Sequence, residues 1–538
     1  MKKLLKVLLA LVLGFSLTGC KPEEPADFTY AVGGEPEYFD PAVGSDSATS
    51  YFTNQMYYPL VRIDEEGLVV KEAAKDIVVT TNDAGNQIYT ITLIDGLKWS
   101  NGDDCTAEHY VYGMKRSLGM GPDDAYYSYF IADYVLNAKA HSNNKSDVAA
   151  MTDLGIKALD AKTIEITLTA PCDYFTQLLA AGVFYPAHPD YAKEHDSTWA
   201  DNAKVPTNGA FYTQKIDRST KVRFVKNEYF VHADKVSLNI MDAVVMPDMD
   251  AQLVNFKTGD IDWATSVNST VATEYNGKPE LLVSESIINY FMHINSKTSL
   301  DALKDVNVRR ALSLGINRAS IVTALNVPAV YFELKGFVPA GFPDANGEGD
   351  FRTVGGDLVK TDKEEAKRLL AAAGYTESNP LKLKYAYNAS AMHTTVAEVL
   401  KQELASINVE LTLEPAELRT FFANRDDGLF ELSRHAMSAD YMDTTTYLDM
   451  AASWTQKATV WGDETYDSLL QAAAKLTGAE RIKKLHEAEK YLVQDQVYTI
   501  PLFQYNQVSL VKDGLTGYMT SPQANFTFWY VQMPAAAE

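Results

Sequence analysis

Runs with apolar residues at every second position alternate, along most of this chain, with stretches whose apolar residues recur every three or four. Ile88 to Leu93 alternates ahead of an Asp95-Gly96 turn, and Ile164, Ile166 and Leu168 share a parity up to Pro171. Leu381, Leu383, Tyr385 and Tyr387 repeat the pattern, as do Val409, Leu411 and Leu413. Each run reads as a strand with one face on a core. Between them lie helical stripes: Ala366, Leu369, Leu370 and Ala373; then Val396, Leu400, Leu404 and Ile407; then Ile482, Leu485 and Leu492. Thr361-Asp362-Lys363-Glu364 reads as a capping box ahead of the first stripe, and Gly374 as its stop. Strands interleaved with helices define an α/β architecture. At 538 residues the chain is too long for one core and must divide into lobes.

The first residues are not part of that body. Lys2, Lys3 and Lys6 precede an apolar run from Val7 to Leu17, followed by Leu17-Thr18-Gly19-Cys20. A charged start, a short apolar segment and small residues before a cut describe a secretory signal over residues 1–20. The run is shorter than the ~20 residues that span a bilayer. The Leu-Thr-Gly-Cys ending resembles a bacterial lipobox, which implies lipidation of Cys20, a membrane anchor and an extracytoplasmic location. Residues 21–27, polar and proline-rich, read as a tether.

The net charge of −23 argues against nucleic-acid binding, which wants a basic face. With Cys20 assigned to lipid, Cys105 and Cys172 remain, either disulfide-bonded in an oxidising compartment or buried as free thiols. No Cys/His group has zinc spacing, and no metal or cofactor is expected. The glycine- and proline-rich stretch from Pro339 to Gly356 contains Asp344-Ala-Asn346-Gly-Glu348-Gly-Asp350, faintly like a calcium loop. Gly355 stands where an EF-hand needs glutamate, so an ordinary surface loop is expected. Nucleophile-elbow, zinc-helix, phosphate-loop and dinucleotide spacings are all absent, and His486-Glu487 lacks the second histidine of a zinc helix. In an exported chain this moves the weight from catalysis to binding.

Five stretches, in order, resemble the solute-binding proteins of the oligopeptide and dipeptide ABC importers, family 5. They are Gly33-Gly34-Glu35-Pro36-Glu37-Tyr38-Phe39-Asp40-Pro41; Asp95-Gly-Leu-Lys-Trp99-Ser-Asn-Gly102 with Thr106-Ala107-Glu108; Asn208-Gly209-Ala210-Phe211-Tyr212; Val308-Arg309-Arg310-Ala311-Leu312 running to Ile316-Asn317-Arg318; and Ala366 to Tyr375. The resemblance runs from about residue 28 to the C-terminus. It implies a two-lobed, periplasmic-binding-protein-like (type II) α/β fold with a hinge, and an additional domain inserted in the first lobe. The expected division is 28–57, 187–288 and 502–538 for lobe I, 58–186 for the insert and 289–501 for lobe II. The crossings between lobes are expected near Ser284–Ile294 and Thr499–Leu510, and closure on ligand is the implied motion.

The resemblance also implies a site. Arg425-Asp-Asp-Gly428-Leu-Phe430-Glu-Leu-Ser-Arg434 followed by Asp440-Tyr441 matches, at the same spacing, a pattern in which the aspartate pairs with a peptide α-amine. Asp440 takes that role by this match. The physics agrees, since an enclosed ammonium needs a carboxylate. Arg434 and Arg425 are the candidate partners of a peptide carboxylate, or of Glu431 or Asp440 within the chain. His393, just before a helix, lies in a segment similar to one that contacts the peptide C-terminus. Glu35 falls in the segment expected to line the cleft. Met437 and Ser438 stand where the peptide binders often have tryptophan and cysteine, leaving the side-chain pocket open.

The expected function is capture of oligopeptides for an ABC permease and its ATPase subunits, by a monomer held at the cell membrane through Cys20 and without catalysis. The alternatives on the same fold are a binder of metal chelates, oligosaccharides or bile-type solutes, and a receptor for a signalling peptide. From another class stands a secreted hydrolase.

Overall fold

The computed structural model describes residues 23–535 except 45, 46, 296, 299, 455–461 and 524. The signal segment and Cys20 lie outside the described residues. One sheet organises most of the rest. From one edge its strands are Val409–Ala416, Leu381–Asn388, Leu432–Ser438, Leu281–Ile294, Thr499–Val511, Trp263–Ala264, Phe28–Val32, Ile240–Val245, Lys221–Lys226 and Phe211–Asp217, with Tyr331–Glu333 added beside Thr499–Val511. Leu381–Asn388 and Val409–Ala416 pair in parallel, and helix Ala391–Ala405 joins them. Along that first strand Leu381, Leu383 and Tyr385 are buried and the lysines between them exposed, so the alternation read from sequence is the pleat.

Leu281–Ile294 and Thr499–Val511 are long antiparallel neighbours that serve both halves of the sheet. Their lower end lies beside Trp263–Ala264, which pairs with Leu510 and Val511. Their upper end carries Leu432–Ser438, whose Arg434 stands opposite Met292. Between the two ends the register breaks: Ser284 faces Gln507, and the next pair is Ile288 with Tyr505. A bulge therefore sits where the chain passes from one half to the other.

Residues 74–167 build a second, four-stranded antiparallel sheet in the order Ala74–Thr81, Gln87–Leu93, Thr163–Thr167, Ile156–Asp160, covered by helix Ala107–Met120. Its core is continuous with that around Phe28, Phe224 and Trp529. A separate core gathers Tyr290, Leu312, Leu383 and Leu400 on the other half of the large sheet.

The quoted motifs have structural work. In Asp95–Gly102, Gly96 and Gly102 adopt φ of +81° and +92°, and the buried Trp99 indole donates to His109 Nδ1 at 3.0 Å. That nitrogen also accepts from Thr106 N–H at the helix start, and burial pushes the imidazole down to about 4, so it stays neutral. Gly209 lies so close to Met56 that a Cβ would meet backbone carbon at 2.5 Å. Arg309 is buried and donates to the Gln496, Leu303 and Lys304 carbonyls, while Arg318 donates to the Pro501 carbonyl at 2.7 Å. Both arginines thus tie helices to the second crossing strand and its approach.

Three local expectations are corrected or settled. The helix expected after Thr361 begins at Lys363, and its cap is Asp362, which accepts from Glu365 N–H; the Thr361 hydroxyl is engaged by the Ile316 carbonyl. Gly374 does end it, at φ +91°, with Tyr375 N–H closing onto the Leu370 carbonyl. Cys105 and Cys172 are both free, buried thiols. In the loop from Pro339, Asp344 bonds His486 and Asp350 caps a short helix, so both carboxylates are occupied by protein donors.

Candidate ligand-binding site

The strand Leu432–Ser438 is the spine of the site. Arg434 leaves it near one end, and Asp440 follows two residues past the other. From Arg434 to the strand's end at Ser438 the chain rises about 13 Å, and Asp440 sits in the bend that follows.

Asp440 opens on a cavity of about 400 Å³, also lined by Arg62, Tyr127, Gln177, Ser521 and Trp529. The carboxylate accepts from the Tyr127 hydroxyl at 3.0 Å, and no lysine, arginine or histidine pairs with it among the described residues. Burial raises it to about 6, against the smaller opposing pull of Tyr127. Its own N–H donates to Thr446 Oγ1 at 3.0 Å, and Ala439 N–H donates to the Ile287 carbonyl inside the bulge. The acidic side chain is therefore seated on the crossing itself.

Arg434 is 7% exposed. Its guanidinium lies over Phe421 at 5.1 Å and Phe422 at 5.5 Å, among the hydroxyls of Tyr290, Tyr385 and Tyr505. Its Nε is buried without a partner, and no aspartate or glutamate pairs with it among the described residues. An unpaired buried guanidinium is costly, and burial holds its pKa below the usual arginine range. His393 lies in the first turn of helix Ala391–Ala405, where its N–H is capped by Ser390 and its Nδ1 meets the Tyr290 hydroxyl at 3.3 Å. Burial, then the Arg434 charge, pushes this imidazole to about 3. Arg425 stacks on Phe422 at 4.9 Å, and its charge reaches Arg434, His293 and His435.

Arg434 and Arg425 thus form one aromatic, cationic cluster with the neutral His393 beside Arg434, and Asp440 lies further along the same segment. Glu35 joins neither: it is exposed and does not line the cavity. The carboxylate of the opening segment that carries structure is Asp40, held by Arg116 at 3.1 and 2.6 Å with both side chains buried. Sequence reasoning missed Tyr127, Tyr174 and Gln177. They come from the 74–167 sheet's surroundings, more than 260 residues away in sequence, and the cluster Tyr126-Tyr127-Ser128-Tyr129-Phe130 was the available signal.

The family model of the bacterial extracellular solute-binding proteins, family 5 (middle region), matches residues 66–459. The chain belongs to that family. It is 26% identical over 547 residues to the dipeptide-binding protein DppE of Bacillus subtilis, covering 97% of each. It is 27% identical over 510 residues to the probable deoxycholate-binding periplasmic protein YgiS of Escherichia coli, covering 92% of this chain and 91% of that protein. Among solved structures, a periplasmic oligopeptide-binding protein of Borrelia burgdorferi superposes with a TM-score of 0.78 at 25% identity, over 94% of this chain and 99% of the other. The two-lobed solute-binding fold is established by this likeness. No helix among the described residues is long and apolar enough to cross a membrane.

Proposed function

We propose that this protein captures short peptides between its lobes and delivers them to an ABC permease with its ATPase subunits. The observation that carries the reading is the polarity of one strand: among the described residues, a carboxylate without a cationic partner at Asp440 and a buried guanidinium without an anionic one at Arg434. A zwitterionic peptide laid along the strand offers an ammonium to the first and a carboxylate to the second. Both charges then gain the partners that they lack among the described residues. His393, held neutral, can donate or accept beside the carboxylate, and Arg425 adds positive potential. The peptide-binding names of relatives support the same cargo.

The remaining assignments are part of this reading. Residues 28–57, 187–288 and 502–538 form lobe I, 58–186 an insert and 289–501 lobe II, with the bulge at Ser284–Ile288 as the hinge. The protein works as a monomer, anchored on the extracytoplasmic face through lipid on Cys20, and binds without turning over its ligand. Glu35, exposed as it is, reaches ligand only if the lobes move.

Native mass spectrometry of the full-length protein in detergent, with bound species released and sequenced, tests the cargo. Peptides of shared length and varied sequence support the reading. A bile-type steroid, a sugar or a metal chelate overturns it and leaves the fold intact.

A further inference from the structure

We infer that Gln177 is a positioning residue for the ligand's α-amine, acting through Asp440 by clamping the backbone two residues beyond it. The inference rests on the proposed role of Asp440. The segment Asp440-Tyr441-Met442 is gripped from two sides. From its own side come the Thr446 hydroxyl and the Ile287 carbonyl, which accept from Asp440 and Ala439 N–H. From the opposite side come residues 127–177. Gln177 Oε1 accepts from Met442 N–H at 2.6 Å, and Gln177 Nε2 donates to the Met442 carbonyl at 3.4 Å.

A side-chain amide has one donor face and one acceptor face, the complement of one residue's backbone N–H and C=O. The short acceptor bond is the stronger half of the clamp. Around it Tyr174 stacks on Tyr441 at 5.0 Å and 6°, Phe130 meets the same ring edge-on at 5.7 Å, and the Tyr127 hydroxyl donates to Asp440. Tyr127, Phe130, Gln177 and Asp440 line the same cavity, so a movement that parts the two segments also parts Gln177 from Met442. The seat of Asp440 is completed on closure, and Gln177 completes it.

The test compares tri-alanine with N-acetyl-tri-alanine by calorimetry on the full-length protein, as wild type, Gln177→Ala and Gln177→Met. Methionine keeps the bulk of glutamine and removes both hydrogen bonds. The wild type should favour the free amine by about a hundredfold, the effect of a buried charge partner. Both variants should shrink that ratio at least tenfold while affinity for the acetylated peptide stays within twofold. If Gln177→Met keeps the wild-type ratio, packing rather than hydrogen bonding is at work and the inference falls. Equal loss for both peptides also overturns it, since that marks general weakening of closure or of the fold. A wild-type ratio near one removes the role of Asp440 itself, and this inference with it.

Discussion

The Asn506 side chain accepts from Ser286 N–H at 3.1 Å and donates to the Ala329 carbonyl at 3.2 Å. Ser286 is the middle of three residues that oppose Asn506 alone, between the Ser284–Gln507 and Ile288–Tyr505 pairs. A bulge strips a strand of ladder bonds, and this amide replaces one of them. Asn506→Ala leaves a buried N–H unmatched at about 1–3 kcal/mol. Thermal unfolding should fall by several degrees, and small-angle scattering should read a more open ligand-free ensemble.

Asp440→Ala should weaken peptide binding by about 2–5 kcal/mol, because the ammonium is left without a partner. Calorimetry against a free-amine tripeptide measures it. Affinity unchanged from wild type would favour a neutral solute.

Asp440 also sets a pH window. Its pKa lies near 6 in the folded, ligand-free protein, above the usual aspartate value, so folding favours the protonated acid. The associated stability is fully present below about pH 4 and lost as pH rises through 6. Asp440→Asn should therefore raise the ligand-free melting temperature at pH 7.5 and leave it unmoved at pH 4. Peptide binding runs the other way: affinity should fall as pH drops below about 6, where the carboxylate takes up a proton. It should fall again above about 8, where the α-amine loses one.

Arg434→Met removes a buried charge that has no carboxylate partner among the described residues, and methionine can fill the space beside Phe421 and Phe422. Ligand-free stability should hold or rise. The preference for a free-acid over a C-terminally amidated peptide should collapse, as paired titrations would read.

Arg116→Ala should be the most damaging of these changes. It strands the buried Asp40 carboxylate, at about 3–5 kcal/mol, and the melting temperature should drop accordingly. Peptide affinity of the folded fraction should change little.

Much of the local structure was legible because it depends on near neighbours. Period-two runs became strands with the expected buried faces, and Gly374 ended its helix. The cap at Asp362 rather than Thr361 shows the limit of such reading: the Thr361 hydroxyl is taken by Ile316, 45 residues away. The run from Arg425 to Tyr441 was legible as a pattern too, with Arg434 and Asp440 on one strand and its bend.

What that run could not disclose is its surroundings. Hydrogen-bond partners distant in sequence leave no periodic trace, so nothing near Asp440 announced Tyr127 or the two-point grip of Gln177. Nor could spacing tell that Asp40, not Glu35, is the anchored acid, or that Cys105 and Cys172 are buried separately. Near-neighbour chemistry decided the strands, the caps and the candidate charges. Burial by distant segments decided which charges lack partners, and so which of them can hold a ligand.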